Sequence, residues 1–170
     1  MFNHLHTTSA QARRRWLLSG GALVAVALPL AASVAQAAGC ASVQGKMTLV
    51  PVPAAECSSP VGICVTGTFK GGIDGTLVFT ATSLTPTVDT ATTGVVLATG
   101  DNTIAAKDGT ITTKDAIVLQ TTGQGMFAEI DTIVGGTGSY AGATGAITAT
   151  GVFDGVNPGQ GRYSGEICLP

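Results

Sequence analysis

Past its first 37 residues the chain is predicted to be all-β, an antiparallel barrel of about eight strands. Three observations predict this. Helical periodicity is nearly absent, and Thr, Val, Ile and Gly dominate. Apolar and polar residues alternate in short runs. Glycine-rich turn signals separate those runs at close intervals. Closing such strands on themselves removes exposed edges and turns alternate residues toward a common interior.

The first 37 residues are set apart by composition. Arg13, Arg14 and Arg15 precede an apolar stretch, Trp16 to Val34, and Ala35-Gln36-Ala37 follows. Basic, apolar and small-residue regions in that order predict a cleavable secretory signal helix over 1–37, with cleavage after Ala37. The arginines fit a twin-arginine signal and a general secretory signal about equally. A lipoprotein signal ending at Cys40 ranks lower, because the aliphatic residue expected three positions earlier is absent. The mature chain, 38–170, is then one domain of 133 residues. It is expected to be exported, periplasmic or extracellular, with no membrane span once the signal is removed.

The elements follow in order. "KMTLVPV" reads as a first strand. "GICVTGTF" and "GTLVFTATS" flank "KGGIDG", a hairpin whose glycines accept positive φ. "GVVLATG", "NTIAA", "GTITT" and "AIVLQT" read as four short strands split by Gly-Asp and Asp-Gly turns. "GMFAEIDTIV" reads as the longest strand, followed by a glycine-rich segment, "GAITATGVFD", a loop and "RYSGEICLP". Alternation places Ile63, Val65, Phe69, Leu77, Phe79, Val95, Leu97, Met126, Ala128, Ile130, Ile147, Phe153, Ile167 and Leu169 inside. Recurrent Thr-Gly pairs offer a β-solenoid as the alternative, but their spacing has no fixed period.

Charge and residue type narrow the chemistry. The mature chain has five basic and ten acidic residues, hence a net charge of −5. No basic patch is available for phosphates, so nucleic acid is not an expected partner. Both histidines, His4 and His6, precede Ala38. Catalysis by Ser-His-Asp or Cys-His, and most zinc and copper sites, therefore lack their imidazole. Four cysteines in an exported chain predict two disulfides. Cys64 and Cys168 each fall on the polar face of a strand, which favours Cys64–Cys168 with Cys40–Cys57.

The segment "GGTGSYAGATG", 135–145, invites a ligand-binding reading. It lacks the spacing and the following helix of a dinucleotide loop, the Lys-Ser/Thr of a P-loop and the aspartate of a calcium β-roll. Tight turns and close backbone approach suffice to explain its glycines, with Tyr140 covering the turn. "DTIVGGTGSYAGATGAITATGVF" resembles the late-strand connection of the allene oxide cyclase/dirigent-like barrels. The matching positions are Gly135, Gly136, Thr137, Gly138, Tyr140, Ala143 and Gly145. The resemblance implies an eight-stranded calycin-like barrel with an interior cavity, often dimeric or trimeric, whose members steer or cyclise hydrophobic small molecules without cofactors.

Candidate catalytic groups are few. Glu129 and Asp131, two residues apart, could act as acid and base if enclosed. The apolar face Met126, Ala128, Ile130 and Val134 instead predicts that both carboxylates point outward, toward lysines or Arg162. Arg162 and Tyr163 could hold a carboxylate at a barrel mouth. Asp74, Asp101, Asp108 and Asp154, beside glycines, read as turn residues bonded to nearby backbone. No cofactor and no metal is expected. The leading expectation is a barrel that binds an apolar small molecule without catalysis. The alternatives are a cofactor-free cyclase or isomerase, and a structural protein with a filled core; self-association is a further expectation. An open apolar cavity favours binding, ionisable groups at its base favour catalysis, and a filled interior favours the structural role.

Overall fold

A computed structural model describes residues 39–87 and 94–170. The predicted signal segment lies outside the described residues. Eight antiparallel strands run β1 (Gly39–Pro51), β2 (Cys64–Gly71), β3 (Gly75–Pro86), β4 (Val95–Ala106), β5 (Gly109–Gln120), β6 (Met126–Gly136), β7 (Thr144–Val152) and β8 (Gly159–Leu169). Each pairs with the next, and β8 pairs back onto β1, closing the barrel. The predicted fold class is therefore the observed one, and the open-ended solenoid is excluded.

Two strand predictions are corrected. β1 is the longest strand, 13 residues, because pairing with β8 extends it back to Gly39. The four short pieces after residue 94 fuse into β4 and β5, 12 residues each. Gly100-Asp101 is not a turn. Gly100 is mid-strand, and a Cβ there would stand 2.2 Å from the Phe79 ring. Glycine is what lets that ring lie across β4.

Turns β2–β3, β4–β5 and β6–β7 share one end of the barrel. There Phe69, Ile73, Leu77, Ile104, Ile111 and Ile147 are almost wholly buried. Ile73, from the β2–β3 turn, plugs this end. The Tyr163 hydroxyl accepts a hydrogen bond from the Ile73 N–H (2.8 Å) and donates to the Ile73 carbonyl (3.1 Å). The Tyr163 ring packs on Phe69 with centroids 4.7 Å apart. It fits because Gly45 leaves the space beneath it open.

The glycine-rich connection between β6 and β7 folds against the β4–β5 turn at this closed end. Ser139 N–H donates to the Asp108 carbonyl (2.8 Å), and Thr137 N–H to the Thr110 carbonyl (2.9 Å). Gly138, at φ +58°, lies so close to Asp108 that any Cβ would collide with its carbonyl oxygen. Tyr140 is partly buried against the core.

Two disulfides are present, Cys40–Cys168 and Cys57–Cys64. The expected pairing of Cys64 with Cys168 and Cys40 with Cys57 is overturned. β2 and β8 are not neighbours, because β1 lies between them, and Cys40 stands directly opposite Cys168 in the β1–β8 register. With its thiol in a disulfide, Cys40 is not available for acylation. Among the described residues no helix is long and apolar enough to cross a membrane.

The interior predicted for β2 and β3 holds, with Val65, Phe69, Leu77 and Phe79 buried, and so do Ile147 on β7 and Ile167 on β8. Ile63 and Phe153 pack on the core from the loops. The phase of β4 and β6 is reversed. Val96 is buried while Leu97 is 46% exposed, and Val95 is only half-buried. Met126, Ala128 and Ile130 face outward, with Met126 60% exposed; Phe127 and Ile133 are buried instead. Leu169, at the end of β8, is also exposed.

Candidate functional site: an acidic cavity inside the barrel

The reversal of β6 turns its carboxylates inward. Asp131 is 1% exposed and stands directly opposite Asp115 of β5, itself 4% exposed. Directly opposite residues on one face have Cβ atoms about 5 Å apart. Glu129, two residues along β6, is opposite Ile117. β4 adds Asn102, 6% exposed and opposite Thr113. Asp115, Glu129, Asp131, Asn102 and Thr113 thus share the inner wall formed by β4, β5 and β6. The expectation that Glu129 and Asp131 point outward to meet lysines or Arg162 is overturned.

Above them, toward the end opposite the closed turns, lies a cavity of about 70 Å³. Its walls are apolar, including Leu49, Val65, Ala81, Ala98, Ile117 and Leu119. The rings of Phe79, Phe127 and Phe153 line it, and Asn102, Asp115 and Glu129 supply its polar atoms. Gly151 and Gly161 make room for Phe127: a Cβ at Gly151 would lie 2.8 Å from its ring. Glu129 keeps a little accessible surface because it borders the cavity; the enclosing barrel still strips it of bulk water. A cavity of this volume holds about two waters. Phe153 is fastened to the β5–β6 connection by its N–H, which donates to the Gly125 carbonyl at 2.7 Å.

The electrostatics are lopsided. Burial pushes Asp115 up to about 6; the Thr113 hydroxyl, donating at 2.5 Å, and Lys114 oppose the rise, while Asp101 adds to it. Burial and then the Asp115 charge push Glu129 up to about 8. Burial, then Glu129 and Asp115, push Asp131 up to about 9. Lys114, the cation that acts on Asp115, points outward and pairs with Asp101 at 2.5 Å. Both oxygens of Asp131 and Oδ1 of Asn102 are buried without a hydrogen-bond partner. Each such group costs roughly 1–3 kcal/mol. No group of three or more His, Cys, Asp or Glu side chains among the described residues has a metal-holding arrangement.

The other candidates lie elsewhere. Arg162 is exposed on the outer wall, while Tyr163, its neighbour, points inward to Ile73, so the two do not share a site. Tyr140 covers the β6–β7 connection. None of the three lines the cavity. Asp154 keeps the local role expected of it. Its carboxylate accepts from the Val156 and Asn157 N–H groups at 2.9 and 2.7 Å, which lowers its pKa. Asp74 pairs with Lys70 at 3.5 Å.

Asp115 and Asn102 were missed by the sequence reading. The signal was present: taken as one strand, "GTITTKDAIVLQ" puts Ile111, Thr113, Asp115 and Ile117 on one face. Likewise "VVLATGDNTIAA" puts Val96, Ala98, Gly100, Asn102 and Ile104 together.

Fold and site define the class: a closed, eight-stranded up-and-down barrel with an apolar pocket that carries carboxyls at its base. Comparison with known protein families, curated proteins and solved structures finds no match to this chain.

Proposed function

We propose that the barrel is a cofactor-free acid–base catalyst, an isomerase or cyclase, acting on a small apolar molecule held in the cavity. The observation that carries this reading is the convergence of Asp115, Glu129 and Asn102 at the base of an otherwise apolar pocket. A barrel selected only for stability would fill these positions with aliphatic side chains, because unpaired buried carboxyls are costly. Displaced pKa values in a cleft are a mark of functional sites. Near neutral pH, Asp115 is the group that carries charge and Glu129 the group that keeps its proton. That division supports Glu129 as the acid and Asp115 as the base. Burial and the Asp115 charge keep the Glu129 proton in place.

The closed barrel and the glycine segment both support placing the chain with the allene oxide cyclase/dirigent-like barrels. Two disulfides support an exported protein, since such bonds persist in oxidising compartments.

A second reading is binding without turnover. The small volume favours it, since a few atoms of a ligand would fill the cavity. One experiment separates the two. Protein isolated from its native source is extracted, and co-purifying apolar molecules are identified by mass spectrometry. Each is then incubated in deuterated water with the wild type and with Glu129→Gln. Catalysis predicts isomerisation or deuterium uptake that the variant loses. A bound molecule returned unchanged and unlabelled by both proteins leaves binding alone.

A further inference from the structure

We propose that this cavity is selective for positive charge: its occupant places a cationic head, an alkylammonium or the electron-poor centre of a reacting molecule, against Asp115, Glu129 and Asn102. This rests on the reading above that the cavity takes a small apolar molecule, and it names the chemistry of that molecule's inner end.

Three features converge on it. The polar atoms at the base are carboxyl groups and an amide, and Oδ1 of Asn102, 94% buried, has no donor. A carbonyl oxygen so placed asks for a proton donor or a positive centre. Three phenyl rings line the same small space, and aromatic faces attract cations while giving an anion nothing. Finally, among the described residues no side-chain cation lines the cavity: Lys114 faces outward toward Asp101, and Arg162 is on the outer wall. An oxyanion or carboxylate would meet repulsion from Asp115, which the Glu129 proton and the Asn102 amide N–H offset without adding any positive charge. The site is thus built opposite in sign to an oxyanion hole.

The charge balance at the base is set by a short roster. Asp115 on β5 and Glu129 and Asp131 on β6 face inward. Asp101 on β4 and Lys114 on β5 face outward beside them, paired with each other. β7 presents Ile147 and Ala149, β3 presents Leu77, Phe79 and Ala81, and β1 and β2 present Met47, Leu49 and Val65; none of these titrates. Tyr163 of β8 is held by Ile73. A fixed-charge cation therefore binds better as pH rises and the inner carboxyls ionise.

The test uses one short alkyl group with three heads, small enough for the cavity: ethylammonium, ethanol and propionate, titrated calorimetrically into the wild-type protein. The ammonium is expected to bind about tenfold tighter than ethanol, a gap the cation–π and carboxylate contacts can supply. Propionate is expected not to bind. Ammonium affinity should climb by about tenfold between roughly pH 5 and pH 9, with ethanol flat. Glu129→Gln should shrink that climb, and the wild-type profile stands on its own should the variant misfold. Ethanol binding as well as the ammonium, or propionate binding at all, would overturn the charge selectivity while leaving the cavity reading intact. Binding of the ammonium that disappears in about 0.5 M salt belongs to the acidic surface and also overturns it. If none of the three binds, the cavity reading falls as well.

Discussion

The two ends of the barrel solve the same geometric problem in opposite ways. At the closed end the interior is filled: Phe69, Ile73, Leu77, Ile104, Ile111 and Ile147 interlock, and the Tyr163 hydroxyl beside them both donates and accepts. Toward the other end the packing stops short. A cavity remains, and the groups bordering it include carboxyls without counter-ions and an amide oxygen without a donor. One sheet, with one alternation rule, thus supplies a rigid base and a chemically unsettled chamber. The difference teaches where stability is concentrated and where it has been given up, the usual relation between scaffold and site.

The disulfides offer the largest test of that division. Cys40–Cys168 locks the β1–β8 seam at the closed end across 128 residues of chain, whereas Cys57–Cys64 closes a loop of only a few residues at the open end. In the chain-entropy model these contribute about 5 and about 2.5 kcal/mol. Replacing Cys40 and Cys168 by Ser should lower the denaturant midpoint far more than replacing Cys57 and Cys64. Equal losses would mean that the seam is held by its ladder alone.

Core truncation comes next. Ile147→Ala at the closed end should cost about 3–5 kcal/mol, since the packed surroundings cannot collapse into the space. Leu119→Ala, beside the existing cavity and only partly buried, should cost about 1–2 kcal/mol. Chemical denaturation of the two variants measures the gap. A reversed order would place the stable core at the wrong end.

The acidic chamber makes stability depend on pH in an unusual direction. The inner carboxyls have raised pKa values when folded, so between about pH 4 and pH 9 the folded state binds more protons than the unfolded state. Stability is fully present below the unfolded values and is lost as pH rises through the folded ones. The loss should be on the order of a few kcal/mol by about pH 9. Asp131→Asn removes the deepest of these titrations. The variant should melt close to wild type near pH 4 and clearly above it near pH 9. Parallel melting curves at both pH values would show that Asp131 is not held neutral by burial.

Much of this architecture was legible in the residues. Strand count, antiparallel order, the hairpin around "KGGIDG" and the inner faces of β2, β3 and β7 all followed from alternation and turn chemistry, because those strands are apolar inside and threonine-rich outside. The site was not legible for the same reason. Alternation assumes that carboxylates seek water, and on β6 they do not. Met126, Ala128, Ile130 and Val134 make the more apolar face and point outward; Glu129 and Asp131 are on the face that packs inside. Asp115 was hidden by a strand break assigned to Lys114-Asp115, where the chain continues without interruption. The disulfide pairing failed one step earlier, when β1 was begun at Lys46 and so stopped short of Cys40.

The outer face of β6 gives the smallest and sharpest contrast. Ile130 is 54% exposed and stands opposite Ala116 of β5, while Val118, 46% exposed, stands between Leu97 of β4 and Ala128 of β6. This stripe is as apolar as the barrel's interior but contributes little to the fold, because half of each side chain is already in water. Ile130→Thr keeps the β-branch that suits a strand and should change stability by no more than about 0.5 kcal/mol. Its inward neighbour, Ile133→Thr, should cost about 2 kcal/mol or more, since the new hydroxyl enters a buried layer with Ile133 only 3% exposed. The pair reads out the phase of β6 directly by urea denaturation. Were the costs interchanged, Glu129 and Asp131 would belong outside, and both the chamber and the chemistry proposed for it would go with them.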